Sequence, residues 1–151
     1  MKLSIKADYA IRALLDLAER YGEGPTPSHE IAARQRVPGP FLDQLLMSLR
    51  RAGLVHSTRG PHGGHGLALA PEQVSLAAVV EALEGRGEPL WERQDDDPPH
   101  AAAVREVLGR ADAAARAVLE ETSLAAVLER SRGERVFHGI YRLSPGGTGP
   151  R

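Results

Sequence analysis

The sequence has no cysteine, which excludes disulfides, thiolate metal sites and cysteine nucleophiles. No stretch approaches the roughly 20 apolar residues that a membrane-spanning helix needs. At the N-terminus Lys2, Lys6, Asp8 and Arg12 interrupt any apolar segment of a secretory signal, so a cytoplasmic protein is expected. Lysine is confined to Lys2 and Lys6, leaving arginine to carry most of the basic charge. No internal repeat is evident. No phosphate-binding glycine motif follows a strand, because GPHGGHG leads into a short strand rather than a helix, and no Ser, His and acid grouping has a recognisable context. An enzyme is the weakest of the function classes.

Net charge is also nearly absent, a formal -1 over 151 residues of which 42% are hydrophobic, enough for one modest core. A DNA binder with evenly spread basic residues would be more cationic, so the distribution matters more than the sum. It is uneven. From Ser28 to Ala70 the acids are only Glu30 and Asp43, against Arg34, Arg36, Arg50, Arg51, Arg59, His29, His56, His62 and His65. Acid collects instead at Asp95, Asp96 and Asp97.

Ser4 is placed to cap a helix from about Ile5 to Tyr21, with Ala10, Ala13, Leu14, Leu17, Ala18 and Tyr21 on its buried face. Ser28 is placed to cap a second helix through Arg36, with Ile31 and Ala32 inward. Pro38, Gly39 and Pro40 form a turn, Pro40 suiting the first position of a third helix that runs to Ala52 with Gly53 as its C-cap. Leu54 to Thr58 and Leu67 to Ala70 are predicted as a hairpin, its tip supplied by Gly60, Gly63, Gly64 and Gly66. A fourth helix, Ser75 to Glu84, presents Leu76, Val79, Val80 and Leu83 on one face. From His100 to Glu121 the positions Val104, Leu108, Ala111, Ala115 and Val118 repeat at heptad spacing. With alanine at two of them the helix buries little and needs a partner, for which its twin in a second subunit is the natural candidate. Thr122 or Ser123 would cap a last short helix, Leu124 to Arg130.

The resulting organisation is a mainly α chain with a small β-hairpin wing: a winged helix-turn-helix domain over 1–85, a linker over 86–99, a dimerisation and docking helix pair over 100–132, and a disordered tail over 144–151. A helix closed by glycine, then a strand, a glycine-rich tip and a second strand, is how a winged helix offers two reading heads to DNA. In the third helix Leu42, Leu45, Leu46 and Leu49 make the buried stripe, which leaves Pro40, Asp43, Gln44, Met47 and Arg51 outward toward a major groove. Gln44 suits adenine, Arg51 guanine or phosphate, and Met47 a thymine methyl, while Asp43 would tolerate only a cytosine amino group and so penalise wrong sequences. Arg59 is placed for the minor groove, with Gly60 and Gly63 letting the backbone approach and His62 donating to phosphate. Ser4, Lys6, Tyr9, Arg12 and Ser28 are expected to position the domain on phosphates.

The runs ADYAIRALLDLA, IAARQRVPGPFLDQLLMSLRRAGLV, STRGPHGGHGLALAP and VSLAAVVEALEG resemble the winged-helix regulators of the Rrf-two family over residues 1 to 85, and more loosely through TSLAAVL to about residue 130. The resemblance implies a homodimeric repressor with crossed long helices, each winged helix reading half of an imperfect palindrome. It also implies that Asp43, Gln44 and Arg59 read DNA. His65, where the family has an aromatic residue, and Pro40, where it has a small polar one, leave the target sequence open. Cluster-binding branches hold iron and sulfur through three cysteines in the segment corresponding to Arg86 to His100, which here reads RGEPLWERQDDDPPH. A cluster-free member with no cofactor is implied. Asp8 occupies a position that supplies an oxygen ligand in one branch, but without the cysteines it reads as a helix-surface charge.

Asp95, Asp96, Asp97 and His100 could ligate a divalent metal, although an acidic run beside two prolines is more simply a solvated helix start. For control, two schemes survive: a partner enzyme of metabolism, or a small-molecule effector between the winged helix and the long helix, lined by Leu90 and Trp91. An interaction module that uses the winged helix to bind a protein is the alternative function, motivated by the near-neutral charge and by Asp43.

Overall fold

The computed structural model describes residues 4–85 and 98–142. Within them, α1 (Ile5–Glu19), α2 (Ser28–Gln35) and α3 (Gly39–Arg51) precede a hairpin of β1 (Val55–Thr58) and β2 (Gly64–Leu67). A short 3-10 turn at Pro71–Gln73, α4 (Leu76–Glu84), α5 (Pro99–Glu121) and α6 (Leu124–Arg142) complete the chain. The architecture is the mainly helical winged helix expected. The linker from Arg86 to Asp97, with Leu90, Trp91 and the three aspartates, and the tail from residue 144 lie outside the described residues.

α1 is the central post. Ala7, Ala10, Ala13 and Leu14 have no exposed surface, and the small side chains let α2, α3, α4 and α6 all pack against this one helix. It begins where expected, with Ser4 Oγ accepting from Ala7 N–H at 3.3 Å. Tyr21 does not continue the buried face: the helix is capped at Arg20, and the ring beyond it is 52% exposed.

α2 also starts differently from the expectation. Pro27 is its N-cap, Ser28 is its first helical residue, and no side chain caps it. α3 behaves likewise, with Pro38 as the cap and Pro40 one position inside Gly39. At the other end of α3 Gly53 sits one residue past the cap at φ +76°. There Gly53 N–H donates to Arg50 O and Leu54 N–H to Leu49 O, both at 3.0 Å. These two bonds satisfy the last carbonyls of the helix and turn the chain into β1.

The second strand is earlier than predicted. Val55 pairs with Leu67 and Thr58 with Gly64, so Gly64 and Gly66 belong to β2 rather than to the tip. The reason is a third strand-like partner: Thr26, in the loop between α1 and α2, exchanges two 2.8 Å backbone bonds with His65. A Cβ on Gly64 would run into the Thr26 carbonyl, so this glycine permits a close approach of two chains.

The C-terminal helices return to the domain. Leu76 N–H donates to Thr122 O and Leu124 N–H to Val74 O, each at 2.9 Å. Ser75 and Ser123 cap α4 and α6 through Ala78 and Ala126 N–H at 3.1 Å. Leu124, with no exposed surface, joins Leu14, Ile31, Leu42, Leu46, Leu49, Val74 and Val79 in the core, a burial worth about 1.5–3 kcal/mol. α6 runs to Arg142, past the end expected near Arg130.

Candidate nucleic-acid interface

On α3 the burial follows the leucine spacing: Leu42, Leu45, Leu46 and Leu49 are buried, while Pro40, Asp43, Gln44, Met47 and Arg51 are exposed. The buried stripe fixes the rotation of the helix, and the opposite face therefore presents one defined set of side chains to solvent. Tyr9 of α1 meets Phe41 edge-on, with ring centroids 5.7 Å apart, and holds the start of α3. Tyr9 is half-buried by that contact.

α2 is held by a device not foreseen from the sequence. Asp16 of α1, only 2% exposed, takes a two-pronged contact from Arg34, Nε to Oδ1 at 2.9 Å and Nη2 to Oδ2 at 2.8 Å. Gln35 Nε2 adds a bond at 3.1 Å. Burial pushes the Asp16 carboxyl up, but the Arg34 and Gln35 hydrogen bonds and the charges of Arg34 and Arg20 outweigh it, and the net shift is downward. The same partner raises Arg34 above the ordinary arginine range. Arg34 thus belongs to the scaffold. The sequence signal was an acid one step from Leu17 on an otherwise apolar face.

Other expected phosphate contacts are similarly engaged. Arg12 lies 3.2 Å from Asp8 Oδ2, donates to Gln35 O at 3.1 Å, and stacks its guanidinium 4.8 Å from the Tyr9 ring centre. Ser4 uses its hydroxyl as a cap, and its N–H donates to Glu84 Oε1 at 3.3 Å. Lys6 is exposed, and Ser28 is half-buried at the uncapped start of α2.

The wing tip exposes Arg59, Gly60 and His62 to solvent, with Gly63 half-buried. Gly63 N–H closes the turn onto Gly60 O at 3.0 Å, and Gly60 has φ +110°. At Gly63 a Cβ would collide with the Thr58 carbonyl, so the two glycines serve different needs. His65 is half-buried rather than presented to solvent, with Nδ1 2.9 Å from Ser57 Oγ. Burial lowers its pKa, Asp43 raises it, and Arg50 and His56 lower it, for a net downward shift.

One residue of the basic stretch had been assigned no contact. Arg36 caps α2 in the left-handed conformation, φ 53° and ψ 47°, the sole non-glycine with positive φ among the described residues. It is exposed in the turn that leads into α3.

α5 has no fully buried residue. Its half-buried positions include Ala101, Arg105, Leu108, Asp112, Ala115 and Leu119, and α4 is the helix it packs against. Val104, Val107 and Val118 are 56%, 61% and 62% exposed. The predicted stripe is thus shared: Leu108 and Ala115 lean toward the chain's own domain, while Val104, Ala111 and Val118, joined by Val107, stay uncovered. Those four fall within about 60° of one another on a 3.6-residue wheel.

The profile of the Rrf2 family, described as iron-dependent transcriptional regulator, matches residues 3–130. The Bacillus subtilis HTH-type transcriptional regulator CymR is 34% identical over 141 residues, 93% of this chain and 99% of CymR. Its solved structure, titled as that of the global cysteine regulator, superposes with a TM-score of 0.77 at 34% identity, covering 86% of this chain and 98% of CymR. The structure of T. potens IscR gives a TM-score of 0.73 at 30% identity over 97% of this chain and 94% of that one. The Synechocystis protein slr0846 is 49% identical over 96 residues, 64% of this chain, and the match spans only 65% of that relative's length. The iron in the family's description finds no donor set among the described residues: the sequence has no cysteine, and no three of their His, Asp or Glu side chains are grouped to hold a metal. Asp8 is exposed and paired with Arg12.

Proposed function

Because the chain belongs to the Rrf2 family of winged helix-turn-helix transcriptional regulators, we propose that it is a homodimeric, cluster-free repressor that binds an imperfect palindrome. The carrying observation is the uncovered face of α3, set by four buried leucines and placed beside a wing whose tip exposes Arg59. α3 enters the major groove, where Gln44 pairs with adenine, Arg51 reaches guanine or phosphate, Met47 meets a thymine methyl and Asp43 selects against bases that offer no amino donor. The wing lays Arg59, Gly60, His62 and Gly63 along the adjacent minor groove. Lys6 and the uncapped first turn of α2 at Ser28 and His29 offer a cation and free N–H groups to phosphates. Ser4 and Tyr9 hold the elements that carry these contacts, and Arg36 adds a phosphate contact at the turn.

The uncovered valines of α5 bring two copies together. Crossed helices would bury Val104, Val107, Ala111 and Val118, with Leu108 and Ala115 at the margin, and set the two α3 helices to half-sites about 10 base pairs apart. No helix among the described residues is long and apolar enough to cross a membrane, which agrees with a cytoplasmic regulator.

Selection of genomic fragments by the purified protein at about physiological salt tests this reading, since specific and non-specific binding separate there. A shared palindrome is expected. Arg59→Ala should then weaken binding several-fold and reduce the salt slope by about 1; normal affinity would remove the wing from the mechanism.

A further inference from the structure

A cleft of about 370 Å³ opens between the end of α1, the α1–α2 loop and β2. This volume is within the range of small-ligand sites, roughly 300–1,000 Å³. Its floor is apolar, formed by the buried Leu17 and Leu67. Tyr21 stands in the lining with 52% of its surface free, which explains an aromatic ring left outside the core. Gly66 leaves bare backbone on the other wall, and His56, its cross-strand partner, sits where a Cβ at position 66 would come within 2.7 Å of Nε2.

Arg20, His56, His65 and Thr26 supply the polar lining, with Arg20 its one permanent cation, and no carboxylate lines the cleft. Arg20 engages its neighbours through Nη1 alone, donating to Asp16 O at 3.3 Å and lying 3.7 Å from Asp16 Oδ1 and 4.0 Å from Glu19 Oε2, whereas Arg34 already takes both Asp16 carboxylate oxygens below 3 Å. The half-exposed Arg20 guanidinium can therefore turn its Nε and Nη2 edge toward a ligand carboxylate.

We propose that this cleft is a binding site for a small planar aromatic carboxylate, with its ring between Tyr21 and the Leu17–Leu67 floor and its anion on Arg20 and His56. The ligand would touch both the α1–α2 loop and β2. The Thr26–His65 backbone pair joins these two, both of its residues line the cleft, and α3 packs against β1 of the same hairpin. A ligand that fits one spacing of loop and wing better than another shifts the wing against the recognition helix by its differential affinity. The regulatory meaning rests on the DNA-binding reading above; the site itself does not.

The probe is 2-naphthoate, titrated into the full-length protein without DNA and followed by amide NMR, with 2-naphthamide as the neutral control. Binding at about 1 mM or tighter, and about tenfold better than the amide, is expected. The shifts should centre on Gly22, Gly24 and Gly66. Arg20→Gln should abolish the preference for the carboxylate, and His56→Gln should reduce it. No binding, equal binding of the amide, shifts centred elsewhere, or a full preference retained in Arg20→Gln would overturn the proposal. Should Arg20→Gln fail to fold, His56→Gln and the comparison of the two ligands decide alone. With the operator in hand, saturating 2-naphthoate should move DNA affinity at least threefold, roughly 0.65 kcal/mol; occupancy without that change would overturn the coupling. A protein that binds 2-naphthoate but no DNA would instead refute the repressor reading and leave the site standing.

Discussion

The contact between Asp16 and Arg34 gives a sharp prediction because its two ends differ in exposure. The Asp16 side chain is 1% exposed and the Arg34 side chain 32%. Removing the arginine leaves a buried carboxylate served only by Gln35 and, at 3.7 Å, by Arg20. Breaking a buried pair in this way costs about 3–5 kcal/mol. Removing the carboxylate instead leaves a guanidinium that water and Glu30, 3.2 Å away, can still serve, so Asp16→Ala should cost less, about 1–2 kcal/mol. Urea unfolding at fixed protein concentration, since the stability of the proposed dimer would depend on concentration, should show Arg34→Ala as the weaker variant by at least about 1 kcal/mol. In thermal melts a 3 kcal/mol loss corresponds to about 6–12 °C. The pH dependence supplies a second signature. Its hydrogen bonds and cations hold the folded Asp16 carboxyl below the ordinary aspartate range, so its contribution is fully present above about pH 4 and disappears as pH falls through the folded value. The deficit of Arg34→Ala relative to the parent should therefore shrink in acid, since the parent then loses what the variant already lacks. Equal costs for the two variants, or a deficit independent of pH, would refute the assignment of this pair as the clamp between α1 and α2.

Three further outcomes are expected. Gly64→Ala would drive a Cβ into the Thr26 carbonyl at a backbone φ of +154°; it should cost about 1–3 kcal/mol and speed hydrogen exchange at the Thr26 and His65 amides, and unchanged exchange would contradict the pairing of Thr26 with the wing. Arg36→Gly relieves a left-handed arginine, so stability should hold or rise by up to about 1 kcal/mol while DNA affinity falls; equal affinity would leave Arg36 without a part in binding. Val107→Asp together with Val118→Asp places two charges on the uncovered face of α5 and should yield folded monomers in sedimentation, whereas an intact dimer would move the interface elsewhere.

Local periodicity made much of this molecule legible. Four leucines at helical spacing were sufficient to orient α3 and hence to name its outward residues, because a single buried stripe leaves no choice of rotation. Long-range partners were not legible. Nothing adjacent in sequence announces that Thr26 pairs with His65, and that pairing moved β2 three residues toward the tip and changed what Gly64 is for. The sequence reading passed over Asp16, whose partner Arg34 is 18 positions away. Arg34 had counted toward the cationic stretch and Arg12 toward the phosphate contacts, and only the fold shows that each already has an acid.

The same distinction governs α5. A heptad pattern reports that a helix has an apolar stripe, but not how much of that stripe its own domain consumes. Here the domain takes the side carrying Leu108 and Ala115, and the edge bearing Val107 and Val118 is left to solvent. Single exposed valines are ordinary on a protein surface, whereas three on one edge of a helix with no buried residue of its own are not. Since α6 returns Leu124 and Leu128 to the core and α5 packs on α4, the C-terminal end of α5 is anchored, and that joint sets the angle of its uncovered edge to α3. A second copy docked there would inherit that angle, so half-site spacing is set by the anchoring of α5 as well as by the reading face. Lengthening the anchored joint at Thr122 by one residue should therefore change the preferred operator spacing without changing the half-site sequence. A preference for the original spacing would mean that α5 does not set the geometry of the dimer.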